Sequence, residues 1–481
     1  MPHRHLDSRK RWLALAVLCL GVLMIVIDST IVNVALPSIR GDLGFSETSL
    51  VWVVNAYLLT FGGFLLLGGR LGDLYGQRRL FTLGIVGFTV ASLACGLANS
   101  QALLIVARAV QGVAGAVVSA ISLSLIMNLF TEPAERAKAM GVYGFVCAGG
   151  GSIGVLLGGL LTGWLNWHWI FLVNLPIGIG VAALCRVLLP ATPPSAGGTR
   201  LDVAGATTVT LALMLAVYAI VNGNEAGWLS LQTLGLSALA GLLFAAFVAI
   251  ESRVAAPLVP LALFRMRNLA TANLIAVLWA AGMFAWFFIS ALYLQQVLGY
   301  TPMQVGLAFL PSNLIMAAFS LGLSAKLVMR FGMKRPIAFG LSVAALGLAL
   351  FARAPVDGNA WIDVLPPMLL LGLGAGIAFN PLLLAAMSEV QPQDSGLASG
   401  IVNTAFMMGG ALGLAVLASL AGARTGGLVA DGADPKAALT AGYHLAFLIG
   451  AVFALAGALL GAFRLRIANS ASAEAGHPAV S

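Results

Sequence analysis

Charge is scarce in this sequence. Asp, Glu, Lys and Arg make up 9% of its 481 residues, where a water-soluble domain carries about 25%. A soluble fold of this size cannot cover itself with so few charges, so much of the 60% that is hydrophobic has to face lipid. The net charge of +8 then reads as an orientation signal in loops, not as a nucleic-acid surface. Cysteine is scarce too. Cys19, Cys95, Cys147 and Cys185 all fall in apolar runs without a CxxC pair, which excludes a disulfide framework and a thiolate metal site and leaves packing roles. His3, His5, His168, His444 and His477 lie neither deep in an apolar run nor beside another ligand or nucleophile. No GxxxxGK[ST] loop occurs, so ATP-driven transport is unsupported. No metal, no cofactor and no catalytic residue is expected, and an enzyme embedded in the membrane is the least favoured reading.

What is present is a series of long apolar runs. A helix needs about 20 apolar residues to cross the hydrocarbon core. On that rule fourteen spans are expected, at 13–36, 50–69, 80–97, 102–130, 139–161, 170–189, 203–221, 231–250, 271–298, 305–328, 336–351, 364–387, 400–420 and 443–463. Arg9-Lys10-Arg11 leads into a first run too long for the core of a cleavable signal peptide. With the N-terminus inside, the tails and even-numbered loops hold 20 of the 25 Lys and Arg. The opposite loops hold Arg40, Arg353, Arg424 and Lys436, and Arg108 lies within a span. This asymmetry places both termini in the cytoplasm of a multi-pass cell-membrane protein.

The chain also repeats. Gly69-Arg-Leu-Gly-Asp73-Leu-Tyr-Gly76-Gln-Arg78-Arg79 aligns without gaps, 256 residues on, with Ala325-Lys-Leu-Val-Met329-Arg-Phe-Gly332-Met-Lys334-Arg335. At an offset of 260, the glycine-rich run after Gln111-Gly112 matches the one after Leu371-Gly372. Both loops fall on the inner side, so the repeats are parallel. The expected organisation is an N-terminal tail (1–12), a six-helix bundle (13–189), a linker carrying two additional transmembrane helices (190–267), a second six-helix bundle (268–463) and a polar tail (464–481).

The loop from Gly69 to Arg79 resembles the signature of the major facilitator superfamily. Ile27-Asp28-Ser-Thr-Ile-Val-Asn33-Val-Ala-Leu36-Pro37 and Arg108-Ala-Val-Gln111-Gly112 are similar to motifs of its fourteen-spanner drug:proton antiporter family. So are Trp169-Ile-Phe-Leu-Val-Asn174-Leu-Pro176-Ile-Gly178, Leu294-Gln-Gln296-Val-Leu-Gly299-Tyr300 and Gly306-Leu-Ala-Phe-Leu-Pro311. The resemblance implies a major facilitator fold of two six-helix halves plus two inserted helices. It also implies proton-coupled export of hydrophobic drugs or other small molecules by alternating access, without cofactor or nucleic acid, by a monomer. A uniporter, a symporter or a dedicated metabolite exporter of the same fold is the alternative.

Two ionisable residues sit deep in spans, Asp28 and Arg108, and the repeat partner of Arg108 is Met368. Burying a charge at mid-membrane costs at least about 2.5–3.5 kcal/mol, so this asymmetry calls for a reason. One reading is proton coupling, with Asp28 taking and releasing a proton under the influence of Arg108. The other is a static ion pair that holds helices together. The resemblance implies the first, and for Asp73, Arg70, Arg78, Arg79, Gly69 and Gly76 it implies a breakable charge latch at the inner gate.

The fifth span carries Gly150, Gly154 and Gly158 on one face, with Gly159 next to it, and is expected to pack closely. Val155 stands where the family's motif has proline, which leaves a straighter span. Because an unpaired amide in lipid is costly, the polar and aromatic residues expected to line a central cavity are Asn33, Asn55, Tyr57, Gln111, Trp286, Tyr293, Gln296, Asn313, Asn380 and Asn403.

Overall fold

The computed structural model describes residues 8–189, 202–254, 257–319, 323–390 and 395–466. Among these the regular structure is helical. Backbone groups in hydrocarbon have no water to bond, and a helix satisfies them within its own segment. The first half comprises α1 (Ser8–Leu43), α2 (Val51–Tyr75), α3 (Gln77–Gly96), α4 (Gln101–Leu129), α5 (Pro133–Trp164), α6 (Trp169–Leu172) and α7 (Asn174–Leu188). Next come α8 (Val203–Ala226) and α9 (Leu231–Glu251). The second half comprises α10 (Arg267–Leu292), α11 (Pro302–Ala318), α12 (Ser324–Phe331), α13 (Lys334–Phe351), α14 (Leu365–Met387), α15 (Ser395–Ala430) and α16 (Pro435–Phe463).

Among the described residues thirteen spans are long and apolar enough to cross a membrane, and Pro302–Ala318 is a shorter apolar helix. The thirteen, with α6 and α7 counted as one, are consistent with the fourteen expected crossings; residues 320–322, between α11 and α12, fall outside the described segments. Several helices run past the lipid-length runs seen in the sequence. The run expected at 400–420 is part of a 36-residue helix, Ser395–Ala430. The turn between α2 and α3 rests on Gly76, whose φ of +91° is open to glycine at little cost. The tail after residue 466, and the linker at 190–201, lie outside the described residues.

Small residues set the closest helix contacts. A Cβ on Gly154 would meet Thr30 and the Ile27 carbonyl, and one on Gly158 the Ile31 carbonyl, so α5 lies directly against the backbone of α1. Gly150 faces Leu23 and Val26 of the same helix. Gly159 faces Pro302 and Met303 instead, and Gly306 answers with the Val155 carbonyl, so the other side of α5 seats α11 of the second half. Helix α5 runs unbroken through Val155.

A second seam joins the halves along α2 and α15. Gly62 meets Met407 and Met408, Leu66 lies over Gly400, and the Asn55 amide donates to the Ala411 carbonyl at 2.8 Å. The inserted helix α8 covers this seam from both sides. Thr210 fits against Gly63 of α2, the Trp52 and Tyr218 rings lie tilted with centroids 6.4 Å apart, and Asn224 donates to the Ser419 carbonyl at 2.7 Å.

Candidate functional site

Asp28 and Arg108 meet. The Arg108 guanidinium lies 2.6 Å from the Asp28 carboxylate, and the two side chains are 1% and 0% exposed. The sequence separates them by 80 positions; the α1–α4 packing brings them together. Removing two charges from water has a desolvation cost that their attraction offsets only when the remaining polar valences are filled. Here they are. Arg108 also donates through Nε to the Val53 carbonyl at 2.9 Å and to the Gln111 side-chain oxygen at 2.7 Å. Gln111 sits one turn on from Arg108 and donates to Asp28 Oδ1 at 2.7 Å and to Ser92 of α3 at 2.7 Å. Asn174, at the start of α7, donates to the same Oδ1 at 2.8 Å. Beneath the guanidinium lies the Tyr57 ring, 4.4 Å from Cζ, with Phe171 at 5.7 Å.

The geometry of α4 allows this closeness. A Cβ on Gly112 would strike Thr60 and the Tyr57 carbonyl, and Thr60 donates across to the Ala109 carbonyl at 2.8 Å. With glycine there, α2 and α4 approach until Arg108 reaches the Val53 backbone. Donors from α4 and from the α7 N-terminus thus converge on a carboxylate of α1, and α2 and α3 hold Arg108 and Gln111 in place. A group held this way can keep an ion pair dry, or hand its proton on when the helices part.

The other expected site residues divide by position. Tyr57 and Gln111 belong to the Asp28 network. Asn55 crosses to α15, as described above. Trp286 and Asn313 are 1% and 2% exposed, on α10 and α11, and Asn33 is 8% exposed on α1, with its amide directed at the Thr30 carbonyl. Asn380 and Asn403 are half-buried on α14 and α15, Asn403 bonded to the Ser399 carbonyl. Tyr293 donates to the Pro355 carbonyl at 2.7 Å. Gln296 lies at the far end of α1 and α10, where Arg40 donates to its side-chain oxygen at 2.9 Å and to Glu47 at 2.9 Å. The Tyr443 hydroxyl of α16 closes the group, 3.3 Å from Glu47 and 3.4 Å from Gln296. Gln295 adds a bond of 2.8 Å to the Val34 carbonyl. This cluster ties the two halves together at one face.

Of the expected inner latch, Gly69 lies near Ala120 of α4 and Gly72 near Ile121, so the end of α2 rests on α4. Arg78 donates to the Leu189 carbonyl at 3.3 Å, and Arg79 is exposed. The side chains of Arg70 and Asp73 lie outside the described residues. Sequence reasoning does not single out Ser92, Arg40, Glu47 or Tyr443, and it marks Asn174 only within a motif. A serine or asparagine inside an apolar run is the available signal, and it occurs at many positions that do nothing similar.

The sequence profile described as Major Facilitator Superfamily matches residues 18–414. The puromycin resistance protein of Streptomyces alboniger is 40% identical over 449 residues, covering 92% of this chain and 89% of that protein. The cephamycin export protein of Amycolatopsis lactamdurans is 40% identical over 451 residues, covering 93% and 91%. The crystal structure of an auto inhibited POT family peptide transporter superposes with a TM-score of 0.69 at 15% identity, covering 98% and 99%, which is a likeness of fold alone. On the match across most of its length, and on relatives that share two-fifths of its residues, the chain belongs to the Major Facilitator Superfamily.

Proposed function

We propose that this protein is a proton-coupled exporter of hydrophobic small molecules, of the fourteen-spanner drug:proton antiporter type, with Asp28 as the coupling carboxylate. The observation that carries the reading is the buried Asp28–Arg108 pair, with Gln111 and Asn174 as further donors to the carboxylate. Protonating Asp28 removes the negative charge that Arg108 faces and turns one acceptor oxygen into a donor. The bonds from Arg108, Gln111 and Asn174 then have to rearrange, so the proton and the packing of α1 against α4 and α7 are linked. A protein that alternates between two arrangements of its halves can use that link to exchange a proton for substrate. The names of the relatives, one a resistance protein and the other an exporter, support efflux of antibiotics or similar compounds. The positive-inside pattern supports cytoplasmic termini in the cell membrane, and the inner loop from Gly69 to Arg79 is the candidate gate. A monomer suffices for this scheme.

One observation favours a second reading. Asp28 is 0% exposed and both of its oxygens already accept bonds, as a static strut in a uniporter would. Efflux of a fluorescent lipophilic cation from proteoliposomes under an imposed pH gradient separates the two. Antiport predicts gradient-driven efflux in wild type, lost in Asp28→Asn with binding retained. Equal gradient-driven transport by both proteins would remove Asp28 as the proton carrier. Wild type that equilibrates substrate but ignores the gradient would make the protein a uniporter.

A further inference from the structure

The second half has a counterpart to the Asp28 site, built from different chemistry. The 256-residue offset that aligns the repeat loops pairs Val53 and Tyr57, the α2 residues around Arg108, with Phe309 and Asn313 of α11. Met368, fully buried, takes the place of Arg108. Helix α10 carries Trp279, Trp286 and Ser290, of which Trp286 lies against α11. Their spacing of seven and four residues puts them on one helix face. The remaining faces of α10 are occupied: Ala281 and Phe284 lie against Gly413 and Gly410 of α15, and Gly282 against Gly450 of α16. The Trp286 ring sits 6.2 Å from Phe309, which is one turn from Asn313 on α11.

Four polar atoms here are buried without a hydrogen-bond partner among the described residues: Nε1 of Trp279 and of Trp286, Oγ of Ser290 and Nδ2 of Asn313. Their side chains are 1%, 1%, 0% and 2% exposed. Buried polar groups in folded proteins are almost always bonded. Ten other described side-chain atoms are in the same state elsewhere, among them the Tyr57 hydroxyl and Oδ1 of Asn273; these four are grouped by their place on α10 and α11. They share a character as well. Indole and amide N–H groups only donate, and a hydroxyl can do so. A stacked pair, Phe287 and Phe309 at 5.4 Å, supplies a flat apolar wall beside them.

We infer that this is a substrate subsite for uncharged molecules rich in hydrogen-bond acceptors, such as carbonyl, quinone or ether oxygens on an aromatic frame. The inference rests on the export reading and names its substrate class. A cationic substrate finds no counter-charge here, because the one deep carboxylate, Asp28, is already engaged by Arg108, Gln111 and Asn174. Acceptor oxygens, in contrast, would satisfy donors that the protein leaves unpaired, and a ligand lacking them would leave those donors buried and unbonded.

The test is equilibrium binding to purified protein in detergent at constant pH, with the neutral quinone dye quinizarin and the lipophilic cation tetraphenylphosphonium. Wild type should bind the quinone more tightly. Trp286→Phe, which keeps a ring and removes the N–H, and Asn313→Leu should each weaken quinone binding about tenfold, the size of one lost hydrogen bond. Neither should change binding of the cation. Thermal stability without ligand should hold or rise, since each change removes an unsatisfied donor, and a purely structural role predicts a fall instead. Ser290→Ala, a one-atom change, serves if either larger variant fails to fold. Unchanged quinone binding in these variants, or tighter binding of the cation by wild type, overturns the proposal. No pH gradient enters the assay, so failure of proton coupling would leave this result intact, and the reverse also holds.

Discussion

A double-mutant cycle on Asp28 and Arg108 measures how strongly the buried pair is linked. The perturbations are Asp28→Asn, Arg108→Met and both together; methionine is apt because Met368 already fills the matching place in the other half. Losing Arg108 leaves a carboxylate that is 0% exposed without its counter-ion. Breaking a buried pair in this way costs about 3–5 kcal/mol. It also strips the Val53 carbonyl of its 2.9 Å bond, at about 1–3 kcal/mol. Asp28→Asn strands the guanidinium at a similar cost. If the effects were independent they would sum to about 7–13 kcal/mol. With both charges gone the stranded-ion terms vanish together, and the double variant should lose only the carbonyl and amide bonds, about 1–3 kcal/mol. The assay is unfolding by sodium dodecyl sulfate in mixed micelles, followed by tryptophan fluorescence and circular dichroism. The double variant should be more stable than either single one. A double variant less stable than both singles would refute the reasoning, since it would mean that the two residues act separately.

Two further outcomes follow from the packing. Gly158→Val should reduce the yield of folded protein on size-exclusion chromatography and lower its unfolding temperature by several degrees, because its side chain would meet the Ile31 carbonyl. Gly163→Val, where a Cβ has nothing within 4 Å, should be neutral in the same measurement. At the opposite face, Arg40→Ala removes both the bond to Gln296 and the ion pair with Glu47. It should loosen the closure between the halves, and a membrane-impermeant maleimide should then react several-fold faster with Asn33→Cys in a background lacking the four native cysteines. An unchanged rate would show that Arg40 does not hold that face shut.

Asp28 and Arg108 stand out in the linear sequence because a charge in an apolar run is costly and therefore conspicuous. Ser92 and Asn174 do not, although they complete the same network, because one hydroxyl or amide in a span costs little and has many harmless uses. Gln296 shows a related limit. Its motif marks it as notable, but nothing in the local sequence pairs it with Arg40, which is 256 positions away. Of the four orphan donors the sequence marks Trp286 and Asn313 as cavity candidates but not Trp279 or Ser290, and it shows the unpaired state of none, since lack of a partner is a property of the surroundings and not of the residue. Span ends are offset for another reason. Hydropathy reports the thickness of lipid, while a helix continues into water wherever its own hydrogen bonds and caps allow, as in Ser395–Ala430.

By itself the sequence determined what depends on composition along one direction. It set a membrane-spanning helical chain, since so few charges cannot cover a soluble fold, an inside-positive loop pattern, a parallel repeat, and two buried charges in the first half. The tertiary structure alone decided which side chains meet. It closed the Asp28 carboxylate within donors from α4 and α7, laid α5 glycines against both α1 and α11, and left the second half with unpaired donors where the first has an ion pair. The physical reason is range. Transfer of a residue into lipid is settled almost locally, whereas a hydrogen bond or a helix contact exists only once packing has fixed two distant positions to within an ångström.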